Sequence, residues 1–215
     1  MKIKWLGHAA FLITSDSGTR LVCDPYSVGG GINYNPIDVS ADIVTVSHQH
    51  GDHNDVAAVK GSPTIVDSPG TGTASGVEFH GVASFHDKSG GKERGTNVIF
   101  CFRIDGVRVC HLGDLGHPLE KGQVTEIGSV DIVLVPVGGF YTIDAREATK
   151  VCDQLKPRIV IPMHFKVKQC SYPIAGIDEF LKNQKNVKRV GSSEIEIKKE
   201  SLPVESETVV LEHAL

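Results

Sequence analysis

The chain has 215 residues, of which 40% are hydrophobic and 22% charged, and its formal net charge is -4. That length fits a single domain over residues 1–215, with enough apolar side chains for a sizeable core. The mild acidity and the lack of a long Lys or Arg run disfavour a nucleic-acid partner, and no apolar stretch is long enough to cross a membrane.

In chain order, Met1–Leu6 superficially resembles a secretory leader, but Gly7-His8 breaks the run and no small-residue cleavage site follows. Ala9–Thr14 and Thr19–Cys23 flank Ser15-Asp16-Ser17-Gly18 and are expected to form a hairpin. Pro25–Pro36 is rich in glycine (Gly29, Gly30, Gly31), lacks the Lys-Ser/Thr of a phosphate loop, and reads as a mobile loop. Ile43–Ser47 is a continuous apolar run, expected as a strand buried on both faces. A short helical stretch at Val56–Val59 and strands at Pro63–Asp67 and Val77–Phe85 follow. Asn97–Ile104 and Val107–Leu112 flank Asp105-Gly106, a strong hairpin signal. Asp131–Val137 and Arg158–Met163 are further apolar strands. Asp144-Ala145-Arg146-Glu147 is a capping box opening a helix to about Leu155, and Gly176–Asn183 reads as another helix. Alternating strands and helices, with hairpins, predict an α/β chain whose mixed sheet or sandwich is covered by helices. The five cysteines (Cys23, Cys101, Cys110, Cys152, Cys170) are scattered without a CxxC pair, which suits reduced thiols in a cytoplasmic protein.

The densest chemistry is Ser47-His48-Gln49-His50-Gly51-Asp52-His53, directly after the apolar strand. His48 and His50 are two apart, so on extended backbone both rings point to one side and can grip one ion. Gly51 permits a bend, after which Asp52 and His53 diverge from the first pair and suit a second ion. Imidazole and carboxylate donors are those that borderline divalent metals take. Other strands also end in polar residues: Asp24, His86-Asp87, Asp114 and His164. His86 is preferred over His80 because it reaches the strand end, whereas His80 sits mid-strand. Asp114, between Gly113 and Gly116, is either a turn residue or part of a site. His117 either meets a substrate or decorates its loop, Tyr141 either faces a pocket or packs, and His111 reads as structural.

The order HxHxDH, then a lone histidine, an aspartate and a final histidine resembles the metallo-β-lactamase superfamily, from Asp24 through His164. Gly7-His8-Ala9-Ala10-Phe11 with Asp24-Pro25-Tyr26 is similar to its compact branch, which includes L-ascorbate-6-phosphate lactonase. The resemblance implies a four-layer αββα sandwich with a two-metal site at one sheet edge. Carried over, His48, His50 and His86 would hold one ion and Asp52, His53 and His164 the other, with Asp114 bridging. Asp24 would support the ligands from behind, and His8 would hydrogen-bond one of them. No cysteine falls at the second metal position, and His50 stands where the family's di-iron oxidoreductases carry glutamate.

The cofactors implied are two divalent ions, Zn2+ by default, with Mn2+ or Fe2+ compatible with the same donors. The implied activity is hydrolysis by a metal-activated hydroxide, on a lactone or other ester of a small molecule. Asp52 or Asp114 would move the proton to the leaving group, and His117 would touch the substrate. A phosphodiesterase of the same fold and a non-catalytic metal-binding or sensing protein are the alternatives. Oligomeric state is not readable.

Overall fold

The computed structural model describes residues 1–215. Its strands are β1 (Lys2–Gly7), β2 (Ala10–Thr14), β3 (Arg20–Cys23), β4 (Val39–Ser40), β5 (Ile43–Thr45), β6 (Val59–Lys60), β7 (Thr64–Val66), β8 (Gly70–Ala74), β9 (Val77–Phe85), β10 (Thr96–Ile104), β11 (Val107–His111), β12 (Ile132–Pro136), β13 (Ile159–Met163), β14 (Val187–Arg189), β15 (Glu194–Glu196) and β16 (Glu207–Val210). The α-helices are α1 (Lys121–Ile127), α2 (Ala145–Leu155) and α3 (Asp178–Leu181).

Two sheets carry the fold. One has six strands in the order β15-β1-β2-β3-β5-β7, the other eight in the order β14-β16-β13-β12-β11-β10-β9-β8. Period-two alternation sends successive residues of the six-stranded sheet into two different cores. Phe11, Ile13, Leu21 and Cys23 face the eight-stranded sheet, in a cluster of 46 buried residues that fills the space between the sheets and continues beneath the helices on the far side. Ala10, Leu12 and Val22 face the other way, into a second cluster of 14 buried residues. On that outer side the covering layer is the loop from Tyr26 to Ala41, the 3-10 turn at Val56–Ala58 with Val59, and the segment of Cys170 and Ile174, and not an α-helix. On the outside of the eight-stranded sheet α1 packs on β9, α2 on β12, and α3 on α2. This is the αββα sandwich with one helical layer reduced to a loop and a single turn.

Most sequence-derived elements are present, usually trimmed by a residue or two. The α2 capping box forms as expected: Asp144 accepts from the N–H groups of Arg146 and Glu147, both at 2.9 Å. The Glu147 carboxylate in turn accepts from Asp144 N–H at 3.2 Å. Several elements were not anticipated, including the short strands β4, β6, β14, β15 and β16. Lys2–Gly7 is a strand between β2 and β15, and the alternation Lys2-Ile3-Lys4-Trp5 is itself a strand signal that the likeness to a leader masks. Gly70–Ala74 has almost no apolar side chain and pairs only as the edge of its sheet. Helix α1 has one fully buried residue, Ile127, so its amphipathic signal is faint.

The glycine-rich loop is also corrected. Tyr26, Ile32 and Tyr34 are buried, and Ile32 forms a bridge to Cys170. The loop is therefore anchored by these side chains, while its tip at Ser27–Gly30 and the residues Asn33, Asn35 and Pro36 are exposed. All five cysteines are free and buried. No helix is long and apolar enough to cross a membrane.

Candidate metal centre

The site lies on the seam between the two sheets. The six-stranded sheet contributes His8 from the β1–β2 turn, Asp24 after β3, and His48 to His53 after β5. The eight-stranded sheet contributes His86 after β9, Asp114 after β11 and His164 after β13. Asp114 is central: its Oδ2 lies 3.2 Å from His86 Nε2, 3.4 Å from His164 Nε2 and 4.0 Å from His48 Nε2. Its Oδ1 lies 3.3 Å from His53 Nε2. The Asp114 N–H donates to the Asn97 side-chain oxygen at 2.9 Å. Gly113 has φ +56, and a Cβ there would sit 2.3 Å from that same oxygen, so the turn that presents Asp114 requires glycine.

Asp24 organises the back of the site. Fully buried, it accepts from Ser47 N–H at 2.8 Å and from Ser47 Oγ–H at 2.6 Å. It also accepts from His53 Nδ1–H at 2.9 Å. Because the Ser47 hydroxyl proton goes to Asp24, Ser47 Oγ is left to accept from His48 Nδ1–H at 3.0 Å. Both rings are thereby turned with Nε2 facing inward, the orientation that metal-ligating histidines need. His111, by contrast, accepts from Gly113 N–H and donates to the Ala9 carbonyl, which makes it a structural brace as its place in the strand suggested.

The site carries backbone strain. His8, Asp24 and His164 are non-glycine residues in the left-handed region, with φ of 53°, 43° and 50°. Such residues persist only where the surroundings over-determine them, and they gather at functional sites.

The polar atoms show whether this constellation fits a metal. His48 Nε2, His53 Nε2, His164 Nε2 and Asp114 Oδ1 are all buried and have no hydrogen-bond partner. Buried polar groups are normally satisfied, and leaving one unmade costs about 1–3 kcal/mol. Three imidazole nitrogens converging on one carboxylate with an oxygen of its own unpartnered fit cations. The donors form two clusters, one of His48, His50 and His86, the other of His8, Asp52, His53 and His164, each with its ligand atoms within 4.8 Å of one another.

His8 is expected to hydrogen-bond one of the ligands. Its Nε2 lies 3.2 Å from Asp52 Oδ2 and its ring 4.1 Å from that of His164, so it stands within the second cluster.

Protonation follows from the surroundings. Burial, reinforced by the neighbouring His53, brings His48 down to about 3, and burial and His164 bring His8 to about 4. Burial and His86 lower His50 as well. These rings are neutral at pH 7, which leaves His48 and His50 able to ligate. Burial opposes a charge on His53, but Asp114, Asp24 and Asp52 outweigh it and hold its pKa well above the usual histidine value. Burial likewise opposes ionisation of Asp114, and His164 and His53 overcome it, leaving Asp114 well below the usual carboxylate range.

His117 has a different task from the one expected. Its Nδ1–H donates to the Pro118 carbonyl at 2.8 Å and its Nε2 accepts from Phe85 N–H at 3.3 Å. Both nitrogens serve backbone, so His117 braces the end of β9 and has none left for a substrate. His80 points to the outer face, 3.4 Å from Glu126, far in function from His86.

A cavity of about 250 Å3 opens on the centre. His50, Asp52, His86 and Asp114 line it, together with Arg94, Tyr141 and Tyr172. Tyr141, left open between pocket and core, is thus at the pocket. Arg94 and Tyr172 have no sequence signal, since both come from loops that only the fold brings to the cavity.

A profile of the Beta-lactamase superfamily domain matches residues 2–164, and this chain belongs to that superfamily. Among its relatives is a protein of Thermococcus kodakarensis named as a UPF0173 metal-dependent hydrolase, 32% identical over 191 residues, covering 77% of this chain and 84% of the relative. A crystal structure from Thermotoga maritima, of a protein assigned to the Zn-dependent hydrolases of the metallo-β-lactamase superfamily, is 41% identical with a TM-score of 0.82. That match covers 98% of this chain and 97% of the other. The short form of human tRNase Z, at 11% identity and a TM-score of 0.56 over 78% of this chain and 93% of its own, shares the fold alone.

Proposed function

We propose that the protein is a metal-dependent hydrolase of lactones or other esters of small molecules, working with two divalent ions, Zn2+ in the first instance. His48, His50 and His86 would hold one ion, and Asp52, His53 and His164 the other, with Asp114 between them. The observation that carries this reading is the set of unpartnered buried donors around Asp114. The naming of relatives as metal-dependent hydrolases supports the same class. Bound ions would supply Lewis acidity, activating water at neutral pH and polarising the carbonyl under attack.

The chain's own residues do the rest. Asp24 and Ser47 keep His53 and His48 in the ligating tautomer. Asp52, partly exposed and lining the cavity, can carry a proton at Oδ2 towards a leaving group. His8 Nε2–H donates to that same oxygen and holds it in place. Tyr141 and Tyr172, with rings 5.5 Å apart, form an aromatic wall that limits the cavity to small substrates. No serine or cysteine nucleophile is required; the five thiols are buried, as suits a reducing cytoplasm.

Metal analysis of purified protein, followed by a panel of lactone, aryl ester, thioester and phosphodiester compounds, tests the reading. About two metal equivalents and turnover of lactones or esters are expected, with loss of turnover on chelation. Turnover of phosphodiesters alone would replace the substrate class, and full activity in metal-free protein would overturn the proposal.

A further inference from the structure

We infer that Arg94 selects substrates bearing an anionic group, a carboxylate or a phosphate, beside the bond that is cleaved. This deepens the reading above and rests on it for the position of the scissile bond.

Arg94 is the only cationic side chain lining the cavity. It is held there by design of the loop that follows β9. Asp87 is buried, and its carboxylate accepts from four backbone N–H groups: Ser89 at 2.7 Å, Gly91 at 2.9 Å, Glu93 at 2.9 Å and Arg94 itself at 2.8 Å. A loop whose amides are gathered on one carboxylate is a rigid mount. His86, a metal-donor candidate, is the residue immediately before that carboxylate. The same short segment therefore fixes both a donor of the centre and the guanidinium beside it.

The guanidinium itself is uncommitted. Its one carboxylate neighbour within 4 Å is Glu93, at 3.7 Å from Nη1. That carboxylate is exposed and already accepts the Ser89 hydroxyl at 2.6 Å. The guanidinium carbon lies 5.8 Å from the centre of the Tyr141 ring, which orients the fork without using its N–H donors. An oriented fork with free donors is the group suited to bidentate carboxylate or phosphate recognition. A cavity of about 250 Å3 is ~8 Å across if taken as a sphere, so a molecule reaching Asp114 also comes within reach of Arg94. The alternative task for Arg94 is to prop Tyr141 by stacking alone. That role has no reason to discriminate between charged and neutral ligands.

Two measurements separate the outcomes. In the first, the metal-loaded protein is titrated with propionate, succinate and 3-phosphonopropionate. The second anionic group should tighten binding about tenfold over propionate, since Arg94 is partly exposed and a charge-assisted pair there is screened. Arg94→Gln should bring that ratio close to one, and Arg94→Lys should restore part of it. Whichever diacid gains more identifies carboxylate or phosphate as the natural group. A ratio near one in the wild-type protein, or a ratio unchanged by Arg94→Gln, overturns the inference. In the second, kcat/KM is compared for a neutral lactone and its carboxylate- and phosphate-bearing analogues. The anionic-to-neutral preference should fall about tenfold in Arg94→Gln through KM. Equal turnover of all three in the wild-type protein overturns the role of Arg94 and leaves the hydrolase reading standing. Absence of turnover on every compound counts against the hydrolase reading, and the titration still decides the role of Arg94.

Discussion

Asp24 Oδ2 and His53 Nδ1 meet at 2.9 Å with neither side chain exposed to solvent. The contact decides which ring nitrogen of His53 faces the cavity. Asp24→Asn keeps the shape but offers an amide where the ring needs an acceptor, and it also weakens the Ser47 relay to His48. Metal affinity should fall by about ten- to a hundredfold, the usual effect of losing a partner behind a ligating histidine. Competition with a chromogenic chelator measures it. An affinity equal to wild type would show that the pair serves folding alone.

The two donor clusters predict different stoichiometries. His50→Ala or His86→Ala should remove about one equivalent by depriving the first cluster, and His164→Ala should remove one from the second. Asp114→Ala should lower both and abolish turnover, since this carboxylate lies between the clusters. Metal content of the purified variants, with circular dichroism to confirm the fold, checks each case.

Acidity should act through His53 and Asp114 in opposite directions. In the metal-free protein the three surrounding carboxylates overcome burial and raise His53 above its ordinary value of 6.5. The stability this contributes is complete below that value and fades as pH climbs through the raised pKa. Asp114 is depressed below its ordinary 3.8, so its contribution is complete above that value and fades as pH falls through the lower pKa. Both are complete between about pH 4 and 6.5. At pH 7 metal loading should release a proton from His53 and none from His48, whose pKa is about 3. Calorimetry in buffers of differing ionisation enthalpy reads that proton; zero release would mean that His53 is already neutral.

Gly116→Ala tests the tight crossing beneath His86. A Cβ at this position would lie 2.3 Å from the His86 carbonyl carbon and the Asp87 nitrogen, both backbone atoms. The chain must shift, at a cost of about 1–3 kcal/mol, or a fall of roughly 3–10 °C in Tm for a domain of this size. The displaced His86 should also weaken metal retention.

Much of this centre was legible in the chain itself. His48, His50, Asp52 and His53 are contiguous, so strand parity and one glycine suffice to place them. His86 could be separated from His80 because strand ends, not strand middles, reach the seam. His117 stays open between substrate contact and loop decoration in the sequence because no spacing bears on it; only the Phe85 and Pro118 backbone partners reveal its task. Arg94 and Tyr172 were invisible for another reason. Their approach to the cavity depends on loop geometry, which no periodicity encodes. The outer loop Pro25–Pro36 reads as mobile because its glycines are evident and the burial of Tyr26, Ile32 and Tyr34 is not.

The donors stand on the ends of strands that two cores hold rigid, whereas Arg94, Tyr141 and Tyr172 reach the cavity on three separate connections. Choice of molecule can thus vary independently of reactivity on the connections that carry Tyr141 and Tyr172, while Arg94 shares its segment with His86. Exchanging those connections for others would give a new appetite to an unchanged engine, a division of labour that makes this scaffold a practical starting point for redirecting hydrolysis by grafting.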